Sequence, residues 1–241
     1  MFTLFEKKSR KSHYKVDFHS HLIPGIDDGC ENYTESFEVI SSLAKLGFEK
    51  LIITPHIHSE YFPNTEEIIL ENFVLLKKQL EDSDVKIELE VAAEYYADDV
   101  FLEKLSTEHK FLTFGDNFIL IETAFINKPA FLDSIIFELI SKNYKVILAH
   151  PERYLYLQNA WEEVEELKER GVYLQVNLGS LSGLYSREIK SFAEKLIDKK
   201  MVDFIGSDCH RKYQIEYLSK AINSRTYKKL ETLPILNDSL R

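Results

Sequence analysis

The sequence predicts an α/β fold organised around a parallel sheet, and three observations predict it. Seven short β-rich runs recur along 241 residues, each separated from the next by a segment long enough for a crossover. Most of those segments carry apolar residues at helical spacing. Every run ends on a polar residue, most often a histidine or a carboxylate.

The first run, KVDFHS, opens the stretch VDFHSHLIPGIDDG (residues 16–29), which places two of only eight histidines one residue apart and follows them with two adjacent aspartates. If residues 16–21 are extended, Asp17, His19 and His21 share one face at roughly 7 Å spacing, which suits a metal. YTESFEVISSLAKLG reads as a helix that stops at Gly47. KLIITP then leads to His56, and NTEEIILENFVLLKKQLED follows as a helix with Asn64 as N-cap and Glu67 three residues on. IELEVAAE ends on Glu94 and NFILIE on Glu122, and FLDSIIFELISKN crosses to YKVILAH, which ends on His150. AWEEVEELKERG leads to VYLQVN and Asn177, and REIKSFAEKLIDKK leads to VDFIGSD, where Asp208 and His210 close the series.

An α/β barrel of this length is ordinarily one domain, and no linker or low-complexity segment divides residues 16–241. In a closed barrel the C-terminal strand ends converge on one face, where such folds place their chemistry. A lone histidine at a strand end is usually structural and a lone glutamate usually solvated. Carboxylates clustered in a barrel mouth, however, would repel strongly at low dielectric, and bound cations remove that penalty. The convergence of His19, His21, His56, His150 and His210 with several carboxylates therefore predicts a metal site. His13, His109 and His58 lie off the strand ends and read as structural.

The formal net charge of −10 argues against a nucleic-acid backbone as main partner. The hydrophobic fraction of 44% supports an extensive core. Residues 1–15 read as a basic, flexible lead-in, with a weak contact to an anionic membrane surface as the alternative. No apolar run suggests a signal peptide or a membrane span. Cys30 and Cys209 show no paired spacing, which fits a cytoplasmic protein, and neither has an arginine six positions on, as a thiol-based phosphate loop requires.

Together DFHSHLIPGIDDG, ITPHIH, AAEYYADD, LAHPERY and IGSDCH, in register from about residue 16 to 210, resemble the PHP superfamily. Within it they resemble the bacterial manganese-dependent tyrosine-protein phosphatases of capsule and exopolysaccharide clusters. The resemblance implies a distorted (β/α)7 barrel with a metal centre of two or three divalent ions at the C-terminal strand ends. By that resemblance one ion is held by His19, His21, Glu94 and Asp208, a second by Glu94, Glu122 and His150, and a third by Asp28, His56 and His210. Asp27 competes with Asp28 for its role, and Asp17 is expected to orient a ligand histidine. Manganese is the implied metal, although imidazole and carboxylate ligands also suit iron or zinc.

Four carboxylates against three divalent ions would leave a surplus of positive charge, to which a phosphate dianion fits. The expected chemistry is hydrolysis of phosphotyrosine by metal-activated hydroxide, without a covalent phosphoenzyme. Arg153, three residues after His150, is the expected catalytic and phosphate-binding arginine. The second phosphate-binding arginine of the family has no clear match, and Arg211 is the candidate beside Lys212. Tyr95, Tyr96, Phe62 and Tyr154 could form an aromatic rim or ordinary packing. The resemblance points to a membrane-anchored tyrosine autokinase as partner, placing the protein in the cytoplasm or at the inner membrane face. The alternatives are a PHP phosphatase acting on a small phosphomonoester such as histidinol phosphate, and a non-catalytic metal-stabilised regulatory module.

Overall fold

The computed structural model describes residues 10–81 and 83–241. Nine strands run in chain order: β1 (Val16–Phe18), β2 (Lys50–Ile53), β3 (His56–Ile57), β4 (Glu88–Val91), β5 (Glu94–Tyr96), β6 (Phe118–Glu122), β7 (Lys145–Ala149), β8 (Tyr173–Asn177) and β9 (Phe204–Gly206). All pairings are parallel, in the orders β1-β2-β4 and β3-β5-β6-β7-β8-β9. The two ladders are less separate than they look, because β2 and β3 belong to one expected run and β4 and β5 lie along another. Backbone bonds cross both breaks, from Ala92 N to Ile53 O (2.9 Å) and from Glu94 N to Pro55 O (3.0 Å). Pro55, between β2 and β3, lacks an N–H and cannot donate to the ladder. At the other edge, Asp208 N donates to His19 O (2.8 Å) and His21 N to Cys209 O (3.0 Å), which brings the first run against the last. A seven-run barrel requires that neighbour relation.

Ten α-helices accompany these strands among the described residues, the last two following β9: α1 (Tyr33–Leu46), α2 (Glu66–Glu81), α3 (Asp99–Leu105), α4 (Leu132–Ser141), α5 (Leu155–Asn159), α6 (Trp161–Glu169), α7 (Leu178–Leu181), α8 (Arg187–Asp198), α9 (Gln214–Ile222) and α10 (Arg225–Leu230). Asn32 caps α1, accepting from Glu35 N, and Gly47 ends it at φ 107°, a conformation that favours glycine. The cap expected at Asn64 is displaced by one residue. Thr65 Oγ1 accepts from Ile68 N, while the Asn64 amide donates to Ile26 O and His56 O and so ties two site loops together.

The sheet carries an apolar layer on each face. Val16, Phe18, Ile52, Leu120, Ile147, Ala149 and Phe204 gather in one cluster, closed off by Leu240. Their sequence neighbours Leu51, Ile53, Ile119, Ile121, Val146, Leu148 and Ile205 pack instead in the larger cluster with the helices. The packed domain begins earlier than Val16. Ser12 and Tyr14 are buried, the Tyr14 hydroxyl donates to Leu230 O (2.8 Å), and Arg10 pairs with Glu231 (2.5 Å). Residues 10–15 are therefore not a free lead-in, and the rest of that stretch, including Lys7 and Lys8, lies outside the described residues. Among the described residues no helix is long and apolar enough to cross a membrane.

Two glycines test how tightly the first and last runs meet. A Cβ on Gly206 would sit 2.6 Å from Phe18 O and 2.7 Å from Gln175 Nε2, whereas one on Gly183 (φ +79°) would meet nothing within 4 Å. Gly206→Ala should cost about 3 kcal/mol through overpacking, against about 1 kcal/mol for Gly183→Ala, which suffers only the left-handed backbone. Urea unfolding of the metal-free chain checks the ranking, and the reverse order would refute the close approach.

Candidate metal centre

The nine expected ligands, His19, His21, Asp28, His56, Glu94, Glu122, His150, Asp208 and His210, all fall into one continuous group at the C-terminal strand ends. Four overlapping sets have ligand atoms within 4.8 Å of one another: His21, Asp28, His56 and His210; His19, His21 and Glu94; His19, His150 and Asp208; and His56, Glu94 and Glu122. The sets share members more than the expected three-ion partition does. His21 stands with Asp28, His56 and His210 as well as with Glu94. His150 joins His19 and Asp208, and its Nε2 is 3.2 Å from Glu94 Oε1 and 3.7 Å from Glu122 Oε2. Glu94 lies at the middle, with Oε2 3.1, 3.4 and 3.2 Å from His19 Nε2, His21 Nε2 and His56 Nδ1.

Backbone conformation, not strand alternation, aims several of these side chains. Phe18 and Ala149 face the inner apolar cluster, so a continuing strand would turn His19 and His150 the other way. Both adopt positive φ (76° and 32°), as does Asp208 (47°), and they are half of the six non-glycine residues that do so among the described residues. Such conformations cost about 1–3 kcal/mol each and persist only where surrounding structure enforces them. Asp17 does not share the histidines' environment. It accepts from Ser207 N (2.8 Å) and Ser207 Oγ (2.6 Å), so the expectation that it orients a ligand histidine fails, and it instead pins the last run to the first.

Other residues orient the imidazoles. Gln175 Oε1 lies 2.8 Å from His19 Nδ1, and Asp27 Oδ2 lies 2.8 Å from His21 Nδ1. His210 Nδ1 lies 3.0 Å from Asp208 O. With each Nδ1 donating, Nε2 is left bare towards the cluster, the tautomer a metal requires. This separates the adjacent aspartates. Asp27 holds His21, while Asp28 Oδ1 faces His56 Nε2 and His210 Nε2, each at 3.4 Å. Gln175 carries no motif, and only its place two residues before Asn177 on the same strand face could have pointed to it.

The electrostatics call for positive charge. His19 Nε2, His21 Nε2, His56 Nδ1 and both Glu94 oxygens are buried without a hydrogen-bond partner among the described residues. Buried polar atoms rarely remain so, and divalent cations would satisfy all five at once. Burial opposes charge on His21, as does His56, yet Asp27 and Glu94 outweigh both and push His21 up to about 9. Burial likewise opposes charge on His56, but Glu94, Asp28 and Glu122 hold its pKa well above the usual imidazole value. Glu94 is held well below the usual carboxylate range: burial works the other way, but His19 and His56 prevail. The donor set therefore fits a divalent metal.

A cavity of about 920 Å³ opens over the cluster, lined by Asp28, His56, Glu122, His150, Asp208 and His210 together with Arg153. The Arg153 guanidinium lies between the rings of Phe125 (4.4 Å) and Tyr185 (4.6 Å), and Nη1 is 3.1 Å from Asp208 Oδ2. Arg211 also borders the cavity but pairs with Glu31 (3.1 Å) and Glu35 (3.0 Å), and Lys212 pairs with Glu38 (2.9 Å). Of the four aromatic candidates, Tyr96 and Phe62 line the cavity. Tyr95 and Tyr154 do not: both are fully buried, with hydroxyls spent on Glu66 and on Thr123 N. Alternation explains Tyr95, which must point away from its neighbours Glu94 and Tyr96. Phe125, Tyr61, Tyr185 and Tyr213 also line the cavity and carried no sequence signal. His58 also borders the cavity, stacked on Tyr96 at 3.9 Å, while His109 bonds Glu66 at 2.8 Å. Both cysteines are buried, and burial pushes the Cys30 thiol up to about 12 and that of Cys209 well above the usual range.

Comparison with known proteins follows the same lines. Residues 15–232 match the model of a family described as capsular polysaccharide synthesis, CpsB/CapC. The sequence is 27% identical over 198 residues to the tyrosine-protein phosphatase YwqE of Bacillus subtilis (strain 168), a match covering 81% of this chain and 77% of that one. Among solved structures, a chain described with YwqE of Bacillus subtilis and CpsB of Streptococcus pneumoniae as metal-dependent tyrosine phosphatases superposes with a TM-score of 0.78 at 25% identity, covering 94% of this chain and 95% of that one. A histidinol phosphate phosphatase of Lactococcus lactis, solved with zinc, L-histidinol and phosphate, gives 0.54 at 16% identity over 87% and 93%, a likeness of fold alone.

Protons and cations should compete for the cluster with opposite pH signatures. In the metal-free chain His21 is raised from 6.5 to about 9, so its contribution to stability is full below about pH 6.5 and lost as the pH rises through 9. The stabilisation added by manganese should instead grow over the same window, because imidazoles must lose their protons to ligate, reaching about 2.7 kcal/mol at a hundredfold excess over the dissociation constant. Unfolding midpoints between pH 6 and 9, with and without manganese, check both slopes. A manganese increment that does not change with pH would refute ligation by these histidines.

Proposed function

The chain belongs to the CpsB/CapC family of capsular polysaccharide synthesis, and on that premise we propose that it is a metal-dependent protein-tyrosine phosphatase. The observation that carries the reading is the joint placement of nine ligand-type side chains and Arg153 on one open cavity. His19, His21, Asp28, His56, Glu94, Glu122, His150, Asp208 and His210 would hold two or three divalent ions, with Glu94 shared between them. Manganese is the proposed metal, and the all-imidazole and carboxylate donor set suits it. When bound, the ions supply a water of lowered pKa and positive charge opposite the phosphoryl oxygens.

The protein's own groups do the rest. Arg153 is held between two aromatic faces, with one nitrogen engaged by Asp208, and its remaining donors can take a phosphate oxygen pair. Tyr96, Phe62, Phe125 and Tyr61 border the cavity and provide apolar surface for a phosphotyrosine ring. Gln175 and Asp27 keep His19 and His21 in the ligating tautomer. The proposed partner is the phosphotyrosine-bearing tail of a membrane-anchored tyrosine autokinase, met by this protein in the cytoplasm.

Turnover of a phosphotyrosine peptide should exceed that of histidinol phosphate under saturating manganese, and the reverse preference would favour a small-molecule phosphatase. His19→Ala and Glu94→Ala should abolish turnover, and elemental analysis should find two or three ions per wild-type chain. Cys30→Ser and Cys209→Ser should stay active, and a trapped phosphocysteine would overturn hydrolysis by water.

Arg153→Ala should lower kcat/KM by about tenfold to a hundredfold, the loss of roughly 1.5 to 3 kcal/mol from a charge-assisted contact. Arg153→Lys should restore only part, since an ammonium cannot present a planar fork. Wild-type kinetics in Arg153→Ala would remove the arginine from the phosphate site.

A further inference from the structure

Tyr185 stands where the two halves of the site meet. Its hydroxyl lies 3.0 Å from Asp208 Oδ2, and its ring faces the Arg153 guanidinium at 4.6 Å. Asp208 Oδ2 also receives Asn177 Nδ2 (2.6 Å) and Arg153 Nη1 (3.1 Å). With three donors on Oδ2, the other oxygen is left for the histidines: Asp208 Oδ1 is 3.4 Å from both His19 Nε2 and His210 Nδ1.

The polarity of this network is determined from one end. The backbone N–H of His150 donates to Gln175 Oε1 (3.3 Å), so that atom is the amide oxygen, and His19 Nδ1 donates to it as well. Gln175 Nε2 must then donate to Asn177 Oδ1 (2.8 Å), which turns the Asn177 NH2 towards Asp208 and the Tyr185 oxygen (3.3 Å). The Tyr185 O–H therefore has Asp208 as its acceptor. One chain of hydrogen bonds links His19, Gln175, Asn177, Asp208 and Tyr185, and the aromatic stack carries it on to Arg153.

We propose that Tyr185 is a positioning residue with two separable tasks: its hydroxyl holds Asp208 so that Oδ1 faces the metal cluster, and its ring holds Arg153 over the cavity for phosphate. The proposal rests on the reading of this cavity as a phosphoester site, and it assigns each task to a different part of one side chain. Tyr185→Phe removes the first and keeps the second, whereas Tyr185→Leu removes both.

The test uses the full chain, stripped and reloaded with manganese. Tyr185→Phe should raise the manganese concentration for half-maximal thermal stabilisation roughly tenfold, as loss of an orienting partner does, while leaving calorimetric binding of inorganic phosphate at saturating manganese unchanged. Tyr185→Leu should show the same manganese shift and in addition bind phosphate about threefold to tenfold more weakly, the loss of a stacked cation. In turnover, its KM for a phosphotyrosine peptide should rise more than its kcat falls. A wild-type manganese midpoint in Tyr185→Phe, or wild-type phosphate binding in Tyr185→Leu, would overturn the proposal, as would two variants alike in both readouts. Neither titration needs turnover, so a wild-type chain inert towards phosphotyrosine would refute the phosphatase reading while leaving this test intact.

Discussion

A single buried carboxylate dictates the rest of the site. Glu94 has no solvent exposure, and its two oxygens lie 3.1–3.4 Å from the imidazoles of His19, His21, His56 and His150. Removing such a charge from water costs several kcal/mol unless positive charge surrounds it. Four histidines drawn from three different strand ends can meet on one carboxylate only if those ends converge, which is what parallel strands entering from one side accomplish. The same imidazoles that supply protons in the metal-free chain could instead offer their nitrogens to cations, so the site has two ways of compensating Glu94, and they exclude one another.

Much of this was legible in the sequence, for reasons that differ between fold and site. Alternating runs and helical segments identify the parallel α/β plan because both periods arise from burial of one face against a shared core. The short helices α3, α5, α7 and α10 escape the pattern, being too brief for helical periodicity to stand out, and α9, as long as the legible α6, follows the last strand and so falls outside the alternation of runs and crossovers. All nine ligand candidates reach the cluster, eight from the strand ends and Asp28, which only the family resemblance singled out, from the loop after β1. For His19, alternation along residues 17–21 supplied a sound conclusion from an unsound premise: Asp17 bonds Ser207, and His19 enters the cluster through its left-handed backbone. No side-chain pattern encodes that turn. The supporting residues were hidden for a related reason, since Gln175, Tyr185 and Phe125 acquire their roles from partners far away in sequence.

Charge on this protein works at two scales. The whole chain is acidic, with a net charge of −10, yet the cavity is where cations would bring local positive charge to an anionic substrate. The exposed basic residues do little to change that. Arg211 and Lys212, the sequence-adjacent candidates for a second phosphate contact, are paired with Glu31, Glu35 and Glu38. Arg153 differs because its partner Asp208 is itself a member of the cluster. A cation near Asp208 would weaken the hold of that carboxylate on the guanidinium, which ties the availability of the arginine to occupancy of the site.

The turn HPER, residues 150–153, concentrates these constraints. His150 takes a left-handed conformation, Pro151 starts a 3-10 turn with φ already suited to it, and Arg153 emerges on the cavity side. Glu152, between them, points the opposite way and is fully buried. It accepts from Asn177 N (2.9 Å) and Ser180 Oγ (2.7 Å), and burial pushes its pKa up to about 7. It does not pair with its neighbour Arg153, which is left to reach Asp208. Glu152 thereby fastens the turn to the end of β8, the strand that carries Gln175 and Asn177. Strain at His150 is tolerable because the next residues are anchored, and the anchor is set on the same strand that orients His19 and Asp208. The ligand histidine, the arginine and the orienting amides are thus registered to one another through backbone, and not only through the flexible ends of their side chains.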